Sequence, residues 1–287
     1  MDKIVLKANG KLNLSLDITG LREDGYHLMD MIMQSVSLSD EITAERESKL
    51  SAESFPFGEK DIAYKAALAY FSETGINGGV KVSVKKYIPD QAGMAGGSAD
   101  AAAVLLALDR LYGTNLSSDE RIRIGVKAGA DVPFCMIGGT ARVSGIGEKV
   151  KSLPFFSDGS YLIIKPDFGV STPAAFKAFD SLNKEDLCRP NNEKLIKALQ
   201  EKKFSVIQQL SGNVLETAAN LPEISRIRLV VKNAGAKLSL MTGSGSAVFG
   251  WFSEKDTAEK VSSAFLPYGK VYTAFPRKSG IEIIEEK

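Results

Sequence analysis

A glycine-rich loop that runs directly into an alanine-rich helix constrains this chain more than any other feature. The loop covers residues 93–98, with the sequence GMAGGS, and the apolar run Ala101–Leu108 follows it. Alanine and leucine are strong helix formers, so the sequence predicts that the loop becomes a helix at about Ser98. Glycines let backbone N–H groups approach phosphate oxygens, and a helix N-terminus adds positive charge there. The pattern therefore indicates a phosphate cradle, although a surface loop before a buried helix fits it equally well.

The loop differs from two common nucleotide-binding motifs, and a second small-residue loop accompanies it. Neither GxxxxGK[ST] nor GxGxxG occurs, which excludes a Walker loop and a Rossmann fingerprint. The second loop, TGSGS at residues 242–246, lies between two strand-like runs, where a hairpin turn is the simpler interpretation. Two phosphate-compatible loops in different halves of the chain nevertheless suggest a ligand in the cleft between them.

The hydrophobic pattern predicts an α+β protein of two domains. A length of 287 residues is enough for about two cores. Turn residues cluster at 153–159, so we expect an N-terminal domain over residues 1–155 and a C-terminal domain over 156–287. Alternation and apolar runs predict strands at about 11–19, 29–38, 42–45, 80–84, 161–164, 237–241, 247–252 and 271–275. Helical patterns predict helices at about 61–73, from 98 onward, 117–128, 173–181, two within 193–210, 224–233 and 255–265.

Charge and cysteine content exclude several classes of protein. Lysines and arginines number 36 and acidic residues 35, and a net charge of +1 argues against nucleic-acid binding. Cys135 and Cys188 form no CxxC pair, and His27 is the single histidine, so neither a disulfide framework nor a cysteine or histidine metal site is expected.

The hydropathy pattern argues against a membrane location. The longest apolar stretch has eight residues, whereas a spanning helix needs about 20. Charges also interrupt the apolar residues near Met1 too often for a signal peptide. We therefore expect a cytoplasmic protein with no membrane partner.

A few polar and aromatic residues have side chains suited to phosphoryl transfer or to base binding. Phosphoryl transfer needs a cation for the transferring group and a carboxylate for the attacking hydroxyl, and Lys11 and Asp131 are of those types. A surface lysine and a helix N-cap explain the same two residues. Tyr26 and Phe176 could stack a planar base or fill a core, and His27 could bind a ligand or be structural.

Taken in order, these blocks resemble one family. KLNLSL at 11–16, REDGYH at 22–27, the loop at 93–98, GADVPF at 129–134 and TGSG at 242–245 together resemble the GHMP kinase superfamily. The DGYH block is similar to the branch that phosphorylates a cytidine-diphosphate-linked methylerythritol. The resemblance implies an N-terminal domain like the second domain of ribosomal protein S5 and a C-terminal ferredoxin-like α/β sandwich, with the active site between them.

The resemblance also implies a reaction and its participants. The enzyme would be a phosphotransferase with an alcohol acceptor, moving the γ-phosphoryl group of ATP to the 2-hydroxyl of 4-(cytidine 5'-diphospho)-2-C-methyl-D-erythritol in the non-mevalonate isoprenoid route. Mg²⁺ would bridge the ATP phosphates, with no dedicated protein cage and with Ser98 as a candidate contact. The partner would be this small molecule alone, and the protein a monomer or homodimer.

The resemblance assigns roles position by position. Asp131 matches the aspartate that accepts the hydroxyl proton. Lys11 matches the lysine that keeps this aspartate ionised and stabilises the transferring phosphoryl group. The residues matched to the alcohol substrate are Asn13, Tyr26, His27, Thr172, Phe176 and Gly243. The residues matched to ATP are Lys86, Pro89, Gly93, Met94, Ala95, Gly96, Gly97, Ser98 and Asp100, with Asp61 near adenine.

The sequence departs from the family pattern in the nucleotide site. Ala95 and Ala99 stand where glycine and a second serine are common, and Asp61 stands where asparagine is frequent. These changes bear on nucleotide affinity more than on identity. Two alternatives stay open: a GHMP kinase for another small alcohol, such as homoserine or mevalonate, and a nucleotide-binding member without catalytic activity.

Overall fold

The computed structural model consists of two antiparallel sheets covered by helices. It describes residues 2–183, 187 and 189–287. Cys188, one of the two cysteines considered above, lies outside the described residues. The strands are β1 Lys3–Leu21, β2 His27–Glu47, β3 Gly79–Lys85, β4 Thr140–Gly145, β5 Lys149–Ser152, β6 Ser160–Lys165, β7 Leu238–Met241, β8 Val248–Phe252, β9 Lys270–Ala274 and β10 Ile281–Glu286.

Helices cover both sheets, and α2 begins in the glycine-rich loop. The α-helices are α1 Ile62–Thr74, α2 Gly96–Tyr112, α3 Ser118–Ala128, α4 Val132–Ile137, α5 Thr172–Asp180, α6 Asn192–Gln200, α7 Phe204–Leu210, α8 Val214–Ala219, α9 Pro222–Asn233 and α10 Thr257–Ser262. Short 3-10 turns occupy Ala52–Ser54, Gly58–Lys60 and Ser263–Tyr268. None of the helices in the described part of the chain is long and apolar enough to cross a lipid bilayer.

The first sheet is built on the long hairpin β1–β2, whose strands have 19 and 21 residues. Its strand order is β10-β1-β2-β4-β5, and β3 also pairs with β2. Register shifts at three points let the hairpin bend around the core. Strand β1 begins at Lys3 rather than at 11, and the two strands predicted at 29–38 and 42–45 are one, β2. Buried and less buried positions alternate from Lys3 to Ala8, whereas residues 8–16 are buried on both faces.

The second sheet has the order β7-β8-β6-β9 and is antiparallel throughout. Helix α9 packs against β7 and β8, and α10 against β6 and β9. The helix predicted over 255–265 is α10 followed by the 3-10 turn Ser263–Tyr268, which contains Pro267. Helices α4 and α8 and strands β4, β5 and β10 lie in segments for which the sequence pattern made no prediction.

The chain returns to its first sheet at the end. Strand β10 pairs antiparallel with β1, with Ile4 opposite Glu286 and Ala8 opposite Ile281. One buried apolar cluster also joins both sheets, from Leu6 in β1 to Trp251 in β8. The domain boundary at 155/156 stays a prediction. Strand β10, at residues 281–286, belongs to the first sheet although it follows the second sheet in the chain.

Candidate active site

A cavity of about 1070 Å³ lies on strands β1 and β2 of the first sheet, and loops from both halves of the chain complete its lining. Its wall is formed by the glycine-rich loop, the residues before α4, the start of β2, the start of α5 and the small-residue loop after β7. The residues predicted from the sequence that line it are Lys11, Asn13, Tyr26, His27, Pro89, Gly93, Met94, Ala95, Gly96, Gly97, Ser98, Asp131, Thr172, Phe176 and Gly243. The structure therefore brings groups from distant parts of the chain to one cavity.

The two small-residue loops touch each other at the cavity floor. A Cβ atom on Gly93 would lie 2.0 Å from the carbonyl oxygen of Thr242, and Gly93 has a positive φ of 72°. The amide of Ser246 donates to Gln91 O at 3.1 Å, which ties the second loop to the first. Only glycine fits this contact, because both its conformation and the space available exclude a side chain. The hairpin interpretation of residues 242–246 holds locally, since they connect β7 to β8, but the turn also closes the cavity floor.

The N-terminus of α2 presents unpaired amides to the cavity. Among the described residues, no acceptor bonds the backbone N–H groups of Gly96, Gly97 and Ser98. Ala95, at the N-cap, has left-handed backbone with φ 59° and no side-chain cap. A Cβ on Gly97 would lie 3.2 Å from Ile62 Cδ1, so the loop lies close against α1. Free N–H groups at a helix N-terminus form an anion site, and the surface-loop alternative leaves this arrangement unexplained.

Lys11 carries a buried charge in the same cavity. Its side chain is 3% exposed, and Nζ donates to Asn13 Oδ1 at 2.6 Å and to Gly93 O at 2.7 Å. Burial lowers the pKa of Lys11, and the negative charge of Asp131 opposes this shift. An ammonium group has three donors, so one remains for a ligand in the cavity. A surface lysine is therefore the wrong interpretation of Lys11.

Asp131 occupies an N-cap position without capping. It precedes α4, with φ −84° and ψ −11°, and its side chain accepts no capping hydrogen bond. The same carboxylate lines the cavity and acts electrostatically on Lys11. The N-cap alternative therefore does not account for this residue, and its carboxylate stays available for a ligand.

Lys86 and Asp100 lie behind the cavity wall instead of on it. Lys86 Nζ donates to Asp40 Oδ2 at 2.5 Å and to Asp100 Oδ2 at 2.8 Å. A Cβ on Gly96 would lie 3.3 Å from Lys86 Nζ, so this ion cluster supports the glycine-rich loop from beneath. Burial raises the pKa of Asp100 to about 7, against the opposing effect of Lys86. A direct contact of either side chain with adenine stays a prediction.

Asp61 caps the N-terminus of helix α1. Its Oδ1 accepts the amide hydrogen of Ala63 at 2.9 Å and caps helix α1, and its side chain does not line the cavity. A carboxylate is a strong N-cap acceptor, which explains why aspartate is suitable here.

The aromatic end of the cavity is organised around His27. The His27 ring stacks on Phe176 with a centroid distance of 4.7 Å and an interplanar angle of 27°. His27 Nε2 lies 2.7 Å from Asp180 Oδ1. Tyr26 is 59% exposed, and Thr172 Oγ1 lies 2.8 Å from Ser244 Oγ. In the structure Phe176 therefore supports the imidazole directly, a contact that the sequence did not predict.

Two further residues of the site were missed. Asn213 Nδ2 donates to Met241 O and Gly243 O, both at 2.8 Å, and fixes the small-residue loop. Its Oδ1 caps helix α8 by accepting from Leu215 N. The signal was Asn213 followed three positions later by Glu216, an N-cap pattern before an apolar run. Asp180 gave no such signal, because its partner His27 is 153 positions away.

The acidic and histidine side chains of the described residues include no group of three or more that could hold a metal ion. Any divalent cation here would depend on oxygens of a bound ligand. Ser98 Oγ is near the segment that carries Asp131, because a Cβ atom on Gly129 would lie 3.7 Å from that oxygen. Mg²⁺ commonly binds in this way, through substrate phosphates and water.

Comparison with known proteins places the chain in a family. Models of the GHMP kinases N terminal domain and the GHMP kinases C terminal region match residues 61–139 and 183–269. A 4-diphosphocytidyl-2-C-methyl-D-erythritol kinase of Caldicellulosiruptor saccharolyticus is 44% identical, covering 90% of this chain and 91% of its own length. The enzyme of that name from Clostridioides difficile is 41% identical, covering 100% and 99%.

Solved structures agree in fold. A crystal structure of 4-(cytidine 5'-diphospho)-2C-methyl-D-erythritol kinase has a TM-score of 0.80 and 32% identity, covering 95% of this chain and 99% of that one. A homoserine kinase from Cytophaga hutchinsonii has a TM-score of 0.81 at 20% identity, covering 99% and 98%, which shows a shared fold alone. The α+β GHMP kinase fold predicted from the sequence is confirmed. By its family models and by relatives that match nearly its whole length, this chain belongs to the 4-diphosphocytidyl-2-C-methyl-D-erythritol kinase family of the GHMP kinases.

Proposed function

We propose that this protein transfers the γ-phosphoryl group of ATP to the 2-hydroxyl of 4-(cytidine 5'-diphospho)-2-C-methyl-D-erythritol. The proposal rests on one observation. The carboxylate of Asp131, which does not cap its helix, and the buried ammonium of Lys11 line the same cavity as the free amides of α2. A carboxylate for the alcohol, a cation for the transferring group and an anion cradle are the parts that phosphoryl transfer requires.

The phosphates of ATP bind at the start of α2 in this proposal. The amides of Gly96, Gly97 and Ser98 are free to donate to phosphate oxygens, and the absence of side chains at 93, 96 and 97 lets the phosphate approach the backbone. The family uses ATP as its phosphate donor, and the residues present fit that group.

Asp131 activates the substrate hydroxyl in this proposal. Asp131 accepts the hydroxyl proton while the substrate oxygen forms a bond to the γ-phosphorus and the bond from that phosphorus to the ADP oxygen breaks. Lys11 uses two donors on Asn13 and Gly93, and directs the third to the charge that develops on the transferring group. The hydrogen bond from Lys11 also holds Asn13 Oδ1 in place, so the Asn13 side chain is fixed beside the reacting alcohol.

Mg²⁺ fits this site only together with ATP. Mg²⁺ bound together with ATP would offset the negative charge of the phosphates, and Ser98, which lines the cavity, would be the side chain that contacts it.

The cytosine end of the substrate occupies the cavity near β2 and α5. Tyr26, His27, Phe176 and Thr172 line that end, where aromatic faces and polar edges combine. A base held by its faces still needs contacts at its edge to be distinguished from other bases. We further propose that the enzyme acts in the cytoplasm, as a monomer or homodimer, and that its domains meet at 155/156.

The test is the release of ADP when the protein is incubated with ATP, Mg²⁺ and one alcohol at a time. Rapid release is expected with the cytidine-linked methylerythritol and little with homoserine or mevalonate. Release with homoserine or mevalonate alone would move the enzyme to another branch of the fold. No release with any alcohol at micromolar enzyme would support a non-catalytic member.

A further inference from the structure

His27 is held on two sides by helix α5. Phe176 stacks against its face, and Asp180, one turn further along the helix, bonds its Nε2 at 2.7 Å. Phe179 contacts the imidazole edge-on at a centroid distance of 6.1 Å. The imidazole is 14% exposed, whereas the Asp180 carboxylate is 53% exposed. Three residues of one helix thus fix the plane and the direction of a single ring.

The hydrogen bond to Asp180 determines where the imidazole proton lies. A carboxylate accepts and does not donate at neutral pH, so Nε2 must carry the hydrogen. The neutral ring then has an unprotonated Nδ1, which acts as an acceptor. Within the described part of the chain, no residue bonds Nδ1, and the ring lines the cavity.

We propose that Asp180 is a positioning residue that makes this enzyme select cytosine over uracil. The inference rests on the proposed function, since it concerns the base of the same substrate. Cytosine carries an amino donor at C4, where uracil carries a carbonyl acceptor. An imidazole fixed with Nδ1 as acceptor bonds the cytosine amine and opposes the uracil carbonyl. Without Asp180, the ring can present N–H from either nitrogen, and the discrimination is lost.

Asp180→Ala is the main test, measured on cytidine- and uridine-linked substrates. We expect the ratio of kcat/KM for the two substrates to fall up to about 10-fold, the size of effect expected for the loss of one hydrogen bond that distinguishes the two bases. The ratio should fall because KM for the cytidine-linked substrate rises, whereas kcat and KM for ATP should be unchanged. Asp180→Asn should keep part of the ratio, because its amide oxygen also accepts the Nε2 proton. Asp256→Ala removes an exposed carboxylate paired with Lys260 and is the matched control.

Nuclear magnetic resonance gives a readout that a structural role would not move. The chain has one histidine, so long-range ¹H–¹⁵N correlations at pH 8 report His27 without assignment. We expect protonated Nε2 and unprotonated Nδ1 in the wild type, and a mixture of tautomers in Asp180→Ala. A wild-type ring protonated at Nδ1, or an unchanged base ratio in Asp180→Ala, overturns the proposal.

Calorimetric titration with CMP and UMP keeps this test separate from the proposed function. If the protein phosphorylates no cytidine-linked alcohol, the proposed function fails. Tighter binding of CMP than of UMP that depends on Asp180 would still support the positioning role, and equal binding of both nucleotides by the wild type would overturn it.

Discussion

Lys11 shows how one buried charge can serve both packing and chemistry. Its ammonium replaces water with Asn13 Oδ1 and Gly93 O, and burial still lowers its pKa. A cation whose solvation is incomplete gains more than a hydrated one when negative charge develops beside it. The residue is therefore suited to the transition state more than to the resting enzyme.

Replacement of Lys11 by methionine removes the charge and keeps most of the volume. We expect kcat to fall by about 10²-fold or more, as for the loss of other groups that stabilise developing charge. Steady-state kinetics at saturating ATP measures this change. Lys177→Met, an exposed position on α5, is the control and should retain full kcat. Turnover of Lys11→Met close to the wild-type value would remove Lys11 from the mechanism.

Asp100 gives a pH dependence of stability. Burial raises its pKa from 3.8 to about 7 in the folded protein. Between these two values the folded state binds more protons than the unfolded state, so its free energy of unfolding falls as the pH rises from about 4 to 7. Asp100→Asn cannot titrate, and we expect it to lose this decrease, about 1–3 kcal/mol after allowance for coupling with Lys86.

Urea denaturation of both proteins across that pH range measures the difference. Asp256→Asn is the control, because the hydrogen bond with Lys260 lowers the pKa of Asp256, opposite to the shift of Asp100, so this variant should keep the decrease. Identical slopes for the wild type and Asp100→Asn would show that Asp100 stays ionised.

At the scale of elements, the site is made where two loops meet. Gly93 contacts the backbone of Thr242, and Asn213 fastens the second loop from α8. The bridge between Leu16 N and Gly212 O, at 2.8 Å, brings the Asn213 segment against β1. Strand β1, α2 and α8 thus share one junction, and a change in it should alter nucleotide binding as well as stability.

Gly93→Ala tests this junction. The new Cβ would lie 2.0 Å from Thr242 O at a positive φ, so both strain and displacement are expected. We expect a loss of about 2–4 kcal/mol in the free energy of unfolding and a KM for ATP raised about 10-fold or more. Gly75→Ala is the matched control: its φ is +68° and nothing lies within 4 Å of its Cβ. That change should cost only about 1 kcal/mol, with KM for ATP unchanged.

The elements differ in how far the sequence could predict them. Helix α2 and its loop were predicted because helix propensity and glycine act locally, and α1 begins within one residue of its predicted start. Strand β10 was not predicted, because Ile281–Glu286 has too little apolar pattern and its pairing with β1 is set by the whole fold. The same holds for the site: the glycine loop is a local signal, whereas Asp180 becomes functional only when α5 packs beside His27.

At the scale of the whole molecule, a shared core joins the two sheets. The larger buried cluster extends from Ile4 and Leu6 to Tyr161 and Trp251, and β10 closes the first sheet after the second is complete. Both halves contribute residues to this one cluster, so the halves should unfold together.

Denaturation followed by two probes checks this expectation. Trp251 is the single tryptophan and lies buried in the second sheet, so its fluorescence reports that sheet, whereas far-ultraviolet circular dichroism reports the whole chain. We expect coincident midpoints for both probes. Removal of residues 281–287 should lower both midpoints equally, whereas an early tryptophan transition would show that the second sheet unfolds alone.

The single-turnover rate of phosphoryl transfer by Asp131→Asn tests directly whether Asp131 and Lys11 carry the chemistry. Asparagine keeps the shape and cannot accept the hydroxyl proton at this position. With ATP and the cytidine-linked alcohol saturating, we expect a rate about 10²- to 10⁴-fold below the wild type, with little change in the affinity for ATP. An unaltered rate at full occupancy would contradict this expectation, because the cavity shared by Lys11, Asp131 and the α2 amides would then not be where the chemistry occurs.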